Sequence, residues 1–439
     1  MMNNYKFLSK EYVNKLFRKD LVLENVLFLI LFALPLKNIF VSIATILFLF
    51  CTLFFVNRKN INVKREFFVP ISLFVLMVLT LLWTKDFEKS LFGLQKALPF
   101  LVIPAAFFVR SQFSKETEVR IFKAYSFSMV CYALFYLVQA LVTYLKTNDT
   151  NCFFYKNLVP SDPGAIYMSV FASLALFYFI QIRNKNLLQK AGLTILIIFT
   201  FLLSSKSIIT IDFIIILCYY TFFVTIPSGT KAITIISVSA FLIFSILFVE
   251  KVRERFLIEY ETAFIDNTLN YDLTKEKQNI YNVSIGEAWN KKDFHHNSYL
   301  PGTALRIYQI RVFLEILAEE QVFLNGFGLE ASQKFIRSKA KEHNLDAIYG
   351  EYNFHNQYLQ TFADLGVVGL LLLLVMLFIN FKNALISKDF LHLTFAITMI
   401  VLFLSESFFC RQRGIVFFIV LYCLFNGASS KESEEIKSI

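Results

Sequence analysis

Charged side chains are scarce in this sequence. Asp, Glu, Lys and Arg make up 17% of its 439 residues, against about a quarter in soluble domains. Apolar side chains take the vacated share, 56% of the chain, in runs of about 18 residues or more, enough to span a bilayer. An ordinary soluble fold is thereby excluded, and the two or three soluble domains that length alone would suggest give way to one helical membrane domain. The short alternating segments of a membrane barrel are missing. Cysteine supplies no framework: Cys51, Cys131, Cys152, Cys218, Cys410 and Cys423 lie mostly inside apolar runs and do not pair by spacing, which argues against disulfides and a zinc site. The polar segments expected to face outward hold no Asp-x-Asp and no dense acidic cluster, so no bound divalent metal is expected.

What is present is apolar runs with polar connectors. About twelve spans are expected, near residues 22–36, 39–56, 67–84, 91–109, 124–145, 164–182, 190–204, 207–226, 232–249, 360–380, 389–408 and 414–427. The net charge of +10 sits largely in short connectors, as the positive-inside rule requires, and no basic-aromatic surface suggests nucleic acid. Arg58, Lys59, Lys64 and Arg65, then Arg110, Lys115, Arg120 and Lys123, then Arg183, Lys185 and Lys190 all fall on the side of the basic N-terminus. The expected architecture is an all-α integral membrane protein. It has a cytoplasmic tail (1–21), nine spans within 22–249, the first acting as an uncleaved signal, a large loop over 250–359, three spans within 360–427 and a cytoplasmic tail (428–439). The loop faces outward, together with Lys146–Gly164, the turn Ser204–Ser207 and the connector Ser405–Arg413.

Candidate chemistry lies on that outward side. Ala304–Glu320 reads as a helix on which Arg311, Glu315 and Glu319 form one solvated stripe, with an ordinary i,i+4 ion pair. Arg306 lies on the apolar side with Ile310, Phe313 and Leu317. A guanidinium there needs a partner, either a carboxylate or a phosphate held by its planar fork. His355, just before a span, is either a proton acceptor or an interface histidine bonded to backbone. Asn356 reads as a helix N-cap. Lys206, in Ser204-Ser205-Lys206-Ser207, either serves an anion or snorkels to headgroups. Arg411 and Arg413 either join that anion site or pair locally with Glu406. Several cations and one histidine near the bilayer suit a lipid diphosphate whose departure the cations stabilise while the histidine takes a hydroxyl proton. His296-Asn297-Ser298-Tyr299-Leu300 and His355-Asn356-Gln357-Tyr358-Leu359 share a pattern too short to establish a repeat.

His355-Asn356-Gln357-Tyr358-Leu359, followed by Gly366 and Gly369 running into Leu370–Leu374, resembles the signature of the O-antigen ligase and O-antigen polymerase superfamily. Arg306 opening a helix, Asn325-Gly326-Phe327-Gly328, the Ser204–Ser207 turn and Trp83-Thr84-Lys85-Asp86 resemble its other elements. The resemblance implies a membrane glycosyltransferase of the C type in the bacterial inner membrane, with a mainly helical periplasmic loop. Such enzymes act without metal or other cofactor. They move glycan from an undecaprenyl-diphosphate-linked oligosaccharide donor to a lipid A core or growing glycan acceptor. By the same resemblance His355 is the catalytic base and Arg306 a catalytic, diphosphate-binding group. Lys206 matches a diphosphate-binding position of the family, Arg411 and Arg413 are assigned to the diphosphate from their place on the outward face, and Asn356, Tyr358, Gly326 and Gly328 support the site. Lys206 departs from the arginine usual at that turn and keeps charge without the fork. Ligase is preferred over polymerase on the His-Asn match. The rival of another class is a glycan-lipid flippase, which should carry ionisable groups deep in several spans; here most spans read as cleanly apolar and the charge gathers at the outer ends.

Overall fold

The computed structural model describes residues 19–55, 64–109, 113–160, 162–224, 262–270 and 279–427, with isolated positions between 227 and 260. Its first half is helical: α1 (Lys19–Ala33), α2 (Asn38–Phe54), α3 (Phe68–Leu79), α4 (Phe87–Ala97), α5 (Pro99–Val109), α6 (Lys115–Thr147), the single turn α7 (Tyr155–Leu158), α8 (Ala165–Gln181), α9 (Leu187–Leu203) and α10 (Lys206–Cys218). Arg65–Leu82, Phe87–Val109, Lys115–Thr147 and Gln357–Ser387 are long and apolar enough to cross a membrane. Six shorter apolar helices accompany them. Each expected span except 232–249 coincides with a helix; that one lies outside the described residues.

The ends of these helices follow local chemistry. α4 starts at Phe87, earlier than expected, because the Asp86 side chain accepts from Lys89 N, a strong N-cap. Pro99 takes the first position of α5, where its missing N–H costs least, and divides the expected span 91–109, while α5 accommodates Pro104 in its interior. The outward surface is apolar in stripes. On α2, Ile39, Ile43, Ile46, Phe50 and Leu53 recur at helical spacing and are exposed, Ile46 and Phe50 at 65%, as a lipid-facing side requires. α8 is almost wholly buried and forms the centre of the bundle with the equally buried helix Gln412–Gly427.

Connectors gather at two ends. At one end Arg120 donates to both Glu24 carboxylate oxygens at 2.7 and 2.8 Å, Lys115 pairs with Asp389, and Lys64 Nζ reaches Asn426 O at 3.0 Å. Lys64, Lys115 and Arg120 belong to two of the three connectors whose basic residues the charge pattern put together. The spans are less cleanly apolar than the sequence reading has it. Asp212 is buried and accepts from Ser173 Oγ at 2.5 Å, while buried His392, Asn380 and Asn426 bond to one another. Asp212 and His392 each bond to a polar neighbour, whereas Asn380 Nδ2 is buried with no partner among the described residues.

The described part of the large loop forms its own small unit. It contains α11 (Ile285–Asn290), α12 (Gly302–Glu320) and α13 (Gln333–Glu342). Three two-residue strands, β1 (Thr268–Leu269), β2 (Tyr281–Asn282) and β3 (Ser298–Tyr299), pair antiparallel and then parallel. Its core includes Phe294, Tyr308, Val312, Ile316 and Phe327. Residues 279–302, which carry no motif, therefore fold against α12. The two His-Asn segments take different forms, one entering β3 and the other opening a helix, so they are not a structural repeat.

The chain then re-enters the bundle through α14 (Gln357–Ser387), α15 (Phe390–Leu402) and α16 (Gln412–Gly427). α14 is two helices joined at Gly366, whose φ of 69° and ψ of −170° are not helical. The expected span 389–408 ends at Leu402 instead. Ser405-Glu406-Ser407 is too polar to continue an apolar helix, and the backbone turns back over residues 403–411.

Candidate active site

The turn 403–411 is the platform of the site. Gln357 N donates to Phe403 O at 2.8 Å, and Phe409 N donates to Gln357 Oε1 at 2.7 Å. Asn356 Nδ2 donates to Leu404 O at 3.2 Å, and Asn356 N donates to Ser407 Oγ at 3.1 Å. Arg306 Nε donates to Ser405 O at 3.1 Å, while Ser405 Oγ donates to Ser207 Oγ at 3.1 Å. Three distant stretches, the loop helix α12, the start of α14 and the Ser204–Ser207 turn, thus meet on five residues. The connector Lys146–Gly164 joins them through Asp162, which pairs with Arg411 and Arg413. All four segments that the charge pattern assigns to one side meet at this end.

His355 lies 3.7 Å by Nδ1 from Glu406 Oε2. Its backbone is left-handed, with φ of 47°, a region histidine enters more readily than most residues. The Asn353 side chain accepts from its N–H at 2.9 Å. Asn356 caps α14, its Oδ1 accepting from Leu359 N at 3.1 Å, as the sequence suggests. Tyr358 donates to Ile400 O at 2.9 Å and so ties α14 to the end of α15. Both neighbours of Gln357 in the motif hold backbone.

Arg306 and Arg311 exchange the roles expected of them. Arg311 is the buried one, bonded to Glu315 Oε1 at 2.7 Å and to Lys291 O at 2.6 Å. Glu315 Oε2 also lies 3.3 Å from His343 Nε2, and Tyr308 OH is 3.0 Å from His343 Nδ1. The Arg311–Glu315 part of the predicted solvated stripe is therefore an internal network, because residues 279–302 cover that side of α12, while Glu319 stays exposed and pairs with Lys339. Burial lowers the His343 pKa, with the Glu315 carboxylate opposing. Arg306 donates to two carbonyls, the second being Gly302 O at 3.0 Å. Among the described residues no carboxylate pairs with it.

Lys206 is the first residue of α10, directly after its N-cap Ser205 and two residues beyond left-handed Ser204. A cation at that end adds to the positive end of the helix dipole, a combination suited to an anion. Arg411 and Arg413 do not pair with Glu406 as expected. Arg411 is half exposed and donates to Asp162 Oδ1 at 3.2 Å. Arg413 is fully buried, pairs with Asp162 and donates to Leu34 O and Leu36 O, each at 3.2 Å. Its cation fastens the α1–α2 connector to α16. Arg413→Met is expected to destabilise the protein by about 2–3 kcal/mol through orphaned buried carbonyls, and Arg411→Ala by less than about 0.5 kcal/mol; thermal midpoints in detergent check both.

Gly326 and Gly328 belong to a seam behind the site. Phe327 N donates to Ala363 O at 2.8 Å, Gly328 N to Asp364 O at 2.9 Å and Lys85 N to Phe327 O at 2.9 Å. Trp83 Nε1 donates to Asn325 O at 3.0 Å. The Trp-Thr-Lys-Asp, Asn-Gly-Phe-Gly and Gly366 motifs are thus one packed unit. Sequence reasoning missed Glu406 as the partner of His355 and Asp162 as the partner of both arginines. The only signal for either is a carboxylate in an outward segment, which does not choose between partners.

Residues 191–374 match the sequence model of the O-antigen ligase family. No curated protein matches the chain.

Proposed function

We propose, from the match of residues 191–374 to the O-antigen ligase family, that the chain transfers glycan from undecaprenyl diphosphate to an acceptor hydroxyl at the outer face of the bacterial inner membrane. The observation that carries this reading is the meeting of His355, Arg306 and the Lys206 turn on residues 403–411. In the tautomer with the proton on Nδ1, Glu406 faces that proton and Nε2 is left to accept one. His355 Nε2 takes the acceptor O–H proton. The freed oxygen pair attacks the anomeric carbon of the donor sugar. The bond from that carbon to the diphosphate oxygen breaks, and its electrons leave with undecaprenyl diphosphate. Glu406 stabilises the imidazolium formed, and Arg306 and Lys206 stabilise the leaving anion. Arg411 and Arg413 are assigned to holding Asp162, not the diphosphate. The acceptor is read as the lipid A core.

Arg306→Ala, in proteoliposomes supplied with the lipid-linked donor, is expected to lower kcat/KM about 10²–10³-fold. Arg306→Lys is expected to fall between, because charge survives and the fork does not. Wild-type donor use by both variants would remove Arg306 from the reaction. Gene deletion separates the two activities of the superfamily. Loss of a ligase leaves long glycan on the carrier and none on the core. Single repeat units on the core would instead make the protein a polymerase.

A further inference from the structure

Beside this arrangement lies a cavity of about 450 Å³ whose lining includes Tyr155, Lys156, Asp162, Tyr167, Glu406 and Arg411. One wall is the connector between α6 and α8, and the other is the turn 403–411. Glu406 belongs to both places, lining the cavity and standing 3.7 Å from His355. The charges in the cavity are mixed. Arg411 is bonded to Asp162 and lies 5.5 Å from the Tyr167 ring, and Lys156 lies 5.9 Å from the Tyr155 ring. A diphosphate entering here would meet two carboxylates. A neutral polyhydroxyl ligand would find carboxylate acceptors, cationic donors and aromatic faces in a volume typical of small-ligand sites.

We propose that this cavity is the acceptor subsite, binding the sugar rings of the acceptor glycan and presenting one hydroxyl past Glu406 to His355. The donor diphosphate then lies on the Arg306–Lys206 side of the same turn. The proposal rests on the transfer reaction above, and the experiment separates the two. Full-length protein in nanodiscs receives lipid-linked donor and, as acceptor probe, core oligosaccharide released from lipid A or a free single repeat unit. Two substitutions are made outside the reacting groups: Lys156→Ala, at an exposed side chain, and Tyr155→Asn, which tolerates the φ of 50° there. The acceptor KM is expected to rise about tenfold, equivalent to one lost stacking or polar contact, with donor KM and thermal midpoint unchanged. A raised donor KM with an unchanged acceptor KM would place the donor in the cavity, and no change in either would empty it of both. If wild type transfers to neither probe, the reaction fails but the cavity is still tested. Saturation-transfer NMR must then detect the free oligosaccharide on wild type and lose it on the double variant; equal signals overturn the subsite.

Discussion

His355→Ala is expected to lower glycan transfer by about 10²–10⁴-fold, the range that a positioned proton acceptor supplies, while the protein still inserts and folds. The fold should survive because the His355 side chain supports little else. It stands near Glu406 and the Tyr352 ring, 5.7 Å away by ring centres. The neighbouring Asn356, Gln357 and Tyr358 carry the structural bonds to residues 400–409. Asn at position 355 makes a second variant, since it accepts the left-handed backbone but cannot serve as base. In cells, both should leave glycan on the carrier lipid. Full transfer by a well-expressed variant would end the assignment of His355 as base.

Gly366→Ala is expected to prevent accumulation of folded protein, with a destabilisation on the order of 4 kcal/mol from backbone strain and overpacking together. The φ of 69° with ψ of −170° is a region essentially reserved for glycine. A Cβ there would lie 2.0 Å from Leu324 O, and one on Gly326 would lie 2.5 Å from Gly366 N. The two glycines let the loop backbone press into the break of α14, where Val367 N donates to Phe323 O at 2.9 Å. This fixes where the loop unit rests on the bundle, and so where α12 delivers Arg306. Gly286→Ala is the control. Its nearest neighbour would be Ser284 Oγ at 3.7 Å, ordinary contact, and within a helix alanine gains up to about 1 kcal/mol. Membrane-fraction yield and thermal midpoint should separate the two; equal yields would show that the seam yields without strain.

Some local chemistry was legible: Asn356 as a cap follows from a few neighbouring residues, whereas the break at Pro99 within the expected span 91–109 was not anticipated. Pairing across the fold was not. Arg311 and Arg306 are five residues apart on one helix, and periodicity assigned the solvated side to the wrong one, because residues 279–302 carry no motif announcing that they cover Arg311. Gly326 and Gly328 read as site residues by resemblance, and the structure gives them a packing reason.

The sequence by itself determined that this is a helical membrane protein with a large polar loop, which connectors share an end, and which family it resembles. Hydropathy and charge are sums over adjacent residues, and a bilayer acts on them directly. Tertiary structure alone decided that Glu406 faces His355, that Asp162 holds Arg411 and Arg413, and that a mixed-charge cavity opens beside them. Those pairings join segments up to 251 residues apart. Any outward carboxylate could satisfy an outward cation equally well until packing sets their distance.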